Sequence, residues 1–327
     1  MRVLVTGGAG FIGSHFVRTL LGGGYPSYAD AEVTVYDKLT YAGNLANLAP
    51  VADHPRYRFV RGDICDADSL GDVVPGHDLV VNFAAESHVD RSIAGAAEFV
   101  LTNAVGMQVL LDACLRAGVR RVLQVSTDEV YGSIAEGAFR ETDRLEPSSP
   151  YSASKAGGDL IARSYAVTYG VDVVITRCTN NYGPYQFPEK VIPLFITNLL
   201  DGRKLPLYGD GLNIRDWLHV DDHCRAIALV LERGRAGEIY NVSGGVQLTN
   251  RELTERLLAA FGLDWSAVEP VADRKGHDRR YALDDSKLRA ELGYAPRLDF
   301  ETGLAETIEW YRANESWWRP LLTGDPM

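Results

Sequence analysis

Short apolar runs alternate with amphipathic stretches along the first half of the chain. Arg2–Thr6 (RVLVT), Glu32–Tyr36 (EVTVY), Tyr57–Val60 (YRFV), Leu79–Phe83 (LVVNF) and Val119–Val125 each read as a strand. Their near-continuous apolar character is that of strands covered on both faces. Helical patterns lie between them, one running from a glycine turn through Leu21 and another over Val100–Ala117. This alternation predicts an α/β fold, a Rossmann-type doubly wound parallel sheet. Beyond Arg177 the rhythm loosens, interrupted by Pro184, Pro188, Pro193 and Pro206. A strand is expected at Glu238–Val242, and helices at His223–Glu232 and Arg251–Phe261, the last opened by a capping box of Thr249 and Glu252. The expected division is a sheet domain of residues 1–178 plus 217–243, and a smaller C-terminal α/β lobe of residues 179–216 plus 244–327.

The first strand runs into Thr6-Gly7-Gly8-Ala9-Gly10-Phe11-Ile12-Gly13. Glycines at 7, 10 and 13 permit a tight turn and close approach of backbone N–H groups to a pyrophosphate at a helix N-terminus. The second strand ends in Asp37, whose carboxylate can accept from ribose hydroxyls and would repel a 2′-phosphate. The loop and the carboxylate together predict NAD as cofactor; Lys38, beside Asp37, weakens that preference. Asp63 and Ile64 close the third strand, where an adenine could be held.

Tyr151 and Lys155 stand four apart in PYSASK, on one face of a helix. A phenol is a poor base at neutral pH, and a nearby ammonium is expected to lower its pKa. The pair can then take a hydroxyl proton while hydride leaves the same carbon. Ser126-Thr127-Asp128-Glu129-Val130-Tyr131-Gly132 follows the fifth strand, at the end of the sheet where such folds bind ligands. Thr127 can share a hydrogen bond at the same hydroxyl. Neighbouring strand residues face opposite ways, so Asp128 and Glu129 can reach one substrate only if the chain has already turned.

Composition narrows the partners. In 327 residues, 46% are hydrophobic and 24% charged, with a net charge of −11. That balance points away from nucleic acid while leaving room for local cations. The four cysteines, Cys65, Cys114, Cys178 and Cys224, lack metal-site spacing and read as reduced thiols, with no metal expected. No run approaches the ~20 apolar residues of a membrane span, and no signal peptide is evident, so no membrane partner and a cytoplasmic location are expected. The sequon Asn241-Val242-Ser243 reads as a chance match.

TGGAGFIG, STDEVYG and YSASK together resemble the extended short-chain dehydrogenase/reductase family. FAAESHVDRS, NNYGPYQFPEK, LPLYGDG, IRDW and DRKGHDRRY narrow the likeness to its nucleotide-sugar 4,6-dehydratases, over nearly the whole chain. The resemblance implies a homodimer acting on dTDP-glucose in deoxysugar biosynthesis, with antibiotic and cell-wall versions not distinguished. Tyr151 would act at C4 with Thr127 and Lys155, Glu129 would take the C5 proton, and Asp128 would protonate the departing C6 hydroxyl. It adds Phe11, Ile12, Thr40, Ala84, Ala85, Ser87, Thr102, Ser126 and Asn181 as cofactor contacts. Ser87, Thr127, Asn180, Lys190, Pro206, Tyr208, Arg215, Asn250, Arg274, His277 and Tyr281 are implied at the substrate. Lys275 stands where many relatives are expected to carry proline. UDP-glucose or another nucleotide-hexose as substrate, a 4-epimerase, and a catalytically silent NAD binder stay open; the Asp128–Glu129 pair speaks against the epimerase. The dimer would pair the helices around Val100–Ala117 and Ser154–Tyr169 with their copies.

Overall fold

The computed structural model describes residues 1–323. Its strands are β1 (Arg2–Thr6), β2 (Glu32–Asp37), β3 (Tyr57–Arg61), β4 (Leu79–Asn82), β5 (Arg121–Thr127), β6 (Val173–Cys178), β7 (Asn180–Tyr182), β8 (Leu205–Tyr208), β9 (Ile214–His219), β10 (Ile239–Val242), β11 (Val246–Thr249) and β12 (Val268–Val271). Seven of them form a parallel sheet in the order β10-β6-β5-β4-β1-β2-β3. The winding reverses between β1 and β4, which opens a crevice at their carboxyl ends. The expected doubly wound fold is therefore present. β5 begins and ends two residues later than its apolar run suggested, so Ser126 and Thr127 belong to the strand.

Alternation along the strands feeds two cores. Val3, Val5, Val33, Val35, Leu79 and Val81 face one layer, and Leu4, Tyr36 and Val80 the other. Phe16, Val17 and Leu20 of the Phe11–Leu21 helix fill the first layer with Ile227, Val230 and Leu231 of the Val220–Arg233 helix. Met107, Leu110, Leu111 and Cys114, at helical spacing, fill the second with Ala162 and Tyr165. The Pro150–Tyr169 helix starts at a reciprocal Ser149–Ser152 capping box with Pro150 in its first turn, and stops at left-handed Gly170. Gly158 lets it press on its neighbour: a Cβ there would lie 2.4 Å from the Asn103 carbonyl oxygen.

That neighbour is helical from Ala97 through Ala117, with a π turn at Leu101–Val105. It is long and apolar enough to cross a membrane, contrary to the expectation that no such stretch exists; its inner side chains are built into the core. β7, β9 and β11 make a second sheet and β8 pairs with β12, around a third core that includes Trp217, Leu253, Leu257, Tyr311 and Trp318. Thr249 and Glu252 form the expected capping box.

Two segments cross the expected domain division. β9 carries Trp217 into the third core and Leu218 into the first. Leu288, Leu292 and Tyr294, assigned by sequence to the smaller lobe, pack in the first core against the large sheet. Their apolar spacing fits either core, and only the chain path decides. Asn241 lies fully buried in β10, where no sugar could be attached in the folded state. All four cysteines are free thiols.

Candidate active site

Two cavities meet at the carboxyl ends of the large sheet. The first, about 300 Å³, follows the crevice from the β1 turn past the ends of β2, β3 and β4 to β5. Gly7 adopts φ +68°, and a Cβ there would lie 2.4 Å from the Ala84 backbone nitrogen. A Cβ on Gly13 would meet the Gly7 carbonyl oxygen at 2.4 Å, so these two glycines let the turn, β4 and the helix close on one another. Gly10 caps the Phe11–Leu21 helix with no side-chain bond to it, and its first-turn residues Phe11, Ile12 and Gly13 line the cavity. A helix start left uncapped beside a cleft is a ready site for a pyrophosphate.

Asp37 is buried, accepting from the N–H groups of Ala9 at 2.9 Å and Leu39 at 2.8 Å. Burial raises its pKa, and those two donors oppose the rise. Lys38 pairs with Asp63 at 2.8 Å, so its charge is already compensated and offers little to a 2′-phosphate. Thr40, Ile64, Ala84, Ala85, Ser87, Thr102, Ser126 and Asn181 also line this cavity. The structure thus brings every sequence-derived cofactor candidate to one cleft, and these residues fit NAD.

The catalytic candidates sit where that cleft ends. β5 stops at Thr127 and a single 3₁₀ turn, Asp128–Tyr131, follows, capped by the Thr127 hydroxyl accepting from Glu129 N–H at 3.2 Å. The turn ends the strand's alternation, so Asp128 and Glu129 both line the cavity. Asp128 is pushed well above the usual carboxylate range by burial, then by the charges of Glu129 and Asp216. Glu129 is also raised by burial, but Arg215 and Lys190 pull it back. The environments thus raise Asp128 more strongly than Glu129, the order that an acid beside a base requires. Asp128 Oδ2 is buried with no hydrogen-bond partner among the described residues, the kind of atom a bound ligand can satisfy.

Tyr151 and Lys155 are buried on one face of their helix. The expected lowering of the phenol pKa is not found. Burial, then Glu129, drives Tyr151 well above the usual range, while its hydrogen bond to Thr127 opposes the rise. Lys155 donates to the Val125 carbonyl at 2.7 Å, and burial lowers its own pKa against the attraction of Asp159. Burial is the largest influence on the phenol, and Lys155 is turned to the Val125 carbonyl.

The second cavity, about 520 Å³, lies between the large sheet and the third core. Asn180, Asn181, Glu129 and Lys190 line both cavities. Pro206 and Tyr208 on β8, Arg215 on β9, Asn250 at a helix start, and Arg274, His277 and Tyr281 line only the second. Ser87 and Thr127, expected at the substrate, lie in the first cavity, at the end shared with Lys190, which donates to the Ser87 carbonyl at 2.8 Å. Arg215 lies 4.2 Å from the Tyr281 ring centroid and donates to the Asp278 carbonyl; Arg274 lies 5.1 Å from that of Tyr208. His277 bonds Asp273 at 2.6 Å, and burial holds its pKa down.

A family model described as GDP-mannose 4,6 dehydratase matches residues 4–307. The chain belongs to that family. A dTDP-glucose 4,6-dehydratase of Streptomyces niveus is 61% identical over 325 residues, 99% of this chain and 97% of that protein. DesIV, a dTDP-glucose 4,6-dehydratase from Streptomyces venezuelae solved with NAD bound, is 65% identical with a TM-score of 0.97, covering 98% of this chain and 100% of that one. The dTDP-glucose 4,6-dehydratase of Bacillus anthracis, in complex with NAD, is 49% identical with a TM-score of 0.90, covering 98% and 99%.

Several residues of this family member escaped the sequence reading. Glu189 accepts from the Tyr41 hydroxyl at 3.0 Å and from Arg91 Nε at 3.3 Å, and Arg91 lies 3.8 Å from the Tyr41 ring centroid. These side chains tie together the segments that follow β2, β4 and β7, Arg91 from the short Val89–Ala94 helix. Buried His223, its pKa lowered to about 3 by desolvation, bonds Asn181 Oδ1 at 2.9 Å and so orients that side chain. The π turn presents Asn103, whose side chain pairs with both the N–H and the carbonyl of Glu86 at 2.9 Å. Arg91 and Glu189 stand inside quoted motifs, but nothing in the spacing links them.

Gly7→Ala tests the cofactor turn. The added methyl meets backbone and the positive φ is strained, so the variant should lose roughly 2–4 kcal/mol of stability in urea unfolding and bind NAD weakly in a titration. Wild-type values in both would show that the turn is not closed as described.

Proposed function

We propose that the chain converts dTDP-glucose to dTDP-4-keto-6-deoxyglucose, in deoxysugar biosynthesis, as an NAD-dependent hydro-lyase. One observation carries this reading: two adjacent carboxyls, held at different protonation tendencies, sit where a dinucleotide cleft meets a cation-lined cavity. Elimination of water needs an acid and a base beyond the group that handles the C4 hydroxyl proton, and 4-epimerisation does not. The names of the relatives at 60–61% identity support the same reaction and the thymidine nucleotide.

The diphosphate would lie among Lys190, Arg215 and Arg274, whose donors suit phosphate oxygens, with the base beside Pro206, Tyr208 and Asn250. That seats the hexose at the junction. Tyr151, in the cavity with Thr127 and Lys155, gives its own proton to solvent, helped by the positive charge of the bound cofactor, and as phenolate receives the C4 hydroxyl proton. Bound NAD supplies the hydride acceptor at C4 and the hydride donor at C6, and carries a positive charge into the cleft. The 4-ketone acidifies the C5 proton, which Glu129 removes. Asp128 gives its proton to the C6 hydroxyl, which leaves as water. Glu129 then returns its proton to C5 as C6 is reduced, Asp128 regains a proton from solvent, and no net oxidation has occurred.

The outer faces of the Ala97–Ala117 and Pro150–Tyr169 helices expose Val100, Leu101, Leu160 and Val167, the last 79% accessible. A two-fold pairing of this face with a second copy would bury them as a four-helix interface. A cytoplasmic setting suits four unpaired cysteines.

Mass spectrometry of the products tests the reaction. Incubation with dTDP-glucose should yield a sugar nucleotide lighter by one water, and UDP-glucose should be left intact. Loss of water from UDP-glucose alone would overturn the nucleotide assignment, and no loss from either would overturn the reaction. Asp128→Asn should oxidise C4 yet eliminate slowly, seen as near-ultraviolet absorbance of reduced nicotinamide building up; full turnover would remove Asp128 from its role. In sedimentation at micromolar concentration the protein should run as a dimer and Leu160→Glu as a monomer. A monomeric wild type would refute the pairing.

A further inference from the structure

Tyr131 ends the 3₁₀ turn that carries Asp128 and Glu129, and Asp159 lies one helical turn beyond Lys155. Both side chains are buried, and the equally buried Arg177 of β6 joins them. Its Nε donates to Asp159 Oδ2 at 2.9 Å, and its Nη1 to the Tyr131 hydroxyl at 2.8 Å. That hydroxyl donates onward to Asn241 Oδ1 at 2.9 Å. We propose that Tyr131, Arg177 and Asp159 are positioning residues, a buried chain that fixes the carboxylate turn against the Tyr151–Lys155 helix.

Three features support a role beyond filling the core. The chain's two ends lie on the two elements that carry the chemistry, and on no others in the site. A rigid planar guanidinium meets both at fixed angles, which a flexible ammonium would not. Its polar atoms are taken out of water, where a hydrocarbon core would pack as stably, so a geometric role accounts for the pair better than stability does. The Tyr131 ring also stacks on Phe139, centroids 5.0 Å apart and planes 13° from parallel, so removal of the hydroxyl alone leaves the packing in place. With the hexose between turn and helix, a shift of either separates water loss from oxidation in rate.

The inference rests on the proposed division of labour, with Tyr151 and Lys155 oxidising and Asp128 and Glu129 eliminating. It is tested with the NAD-loaded full chain as Tyr131→Phe and Arg177→Lys. In Tyr131→Phe the turn is released while the helix keeps its partner. Its kcat for dTDP-glucose should fall roughly tenfold to a hundredfold with KM unchanged. In stopped-flow, reduced nicotinamide should build up transiently, and sugar quenched at that time should not yet have lost water. Arg177→Lys keeps the charge beside Asp159 but cannot reach both partners, and should show the same transient. A folded Tyr131→Phe that turns over like wild type, or that slows with no transient, overturns the inference. If Tyr131→Phe does not fold, Arg177→Lys decides by the same measurement. Wild type run alongside keeps the readings apart: if it releases water normally while the variants show no transient, only the positioning chain falls.

Discussion

Two neighbouring carboxyls are taken out of water at the end of β5, and much of the site is arranged around that burden. Isolated buried carboxylates would both protonate. Here the cations are disposed unequally. Arg215, Lys190 and Arg274 act chiefly on Glu129, while Asp128 meets the charges of Glu129 and Asp216 with less relief. Both carboxyls are therefore pushed upward, Asp128 the more strongly. None of those cations belongs to the strand or the turn. They come from the β7–β9 region and the segment near residue 274, so the smaller lobe completes the electrostatics of a site whose carboxyls stand on the large sheet.

The sheet supplies the complementary constraint. Its winding reverses between β1 and β4, and the crevice at that point is open only because the turn after β1 is nearly bare of side chains. Gly7 and Gly13 bring backbone against backbone, and Gly158 does the same between two helices behind the cleft. Close packing at these points sets where the Pro150–Tyr169 helix lies, and hence where Tyr151 and Lys155 stand relative to β5. The anchoring of Lys155 to the Val125 carbonyl ties that helix to the strand that delivers Asp128 and Glu129. Cofactor cleft and carboxyl pair are thereby parts of one rigid frame.

Much of this was legible in the sequence because it depends on local periodicity. Strand alternation, the glycine spacing, the Thr249–Glu252 box and the i,i+4 relation of Tyr151 and Lys155 are short-range signals, and the structure places each as read. What depends on distant partners was not legible. The direction of Lys155, the pairing of Lys38 with Asp63, the Tyr41–Arg91–Glu189 strap and the Tyr131–Arg177–Asp159 chain each join residues from 18 to 148 positions apart. The return of residues 288–294 to the large-sheet core is of the same kind, since an apolar helix face fits either lobe. The effect on Tyr151 misled for another reason: a sequence shows the ammonium nearby but not the depth of burial, and burial is the larger influence.

The acidic net charge of the chain is no obstacle to binding a diphosphate, because binding depends on the local field. In the second cavity Arg215 and Arg274 stack over tyrosine rings and Lys190 is tied to a carbonyl, so their positions are set before any anion arrives. An anion bound there and the Glu129 carboxylate draw on the same positive charge. Each lowers the field felt by the other, so an occupied cavity leaves Glu129 a stronger base than an empty one. Burial makes Glu129 a stronger base than a free carboxylate, the cations temper that, and an anion that offsets them restores it. The spacing between these cations and the carboxyl turn therefore couples the two cavities electrostatically, and it is held by the same sheet and helices that hold the cofactor cleft.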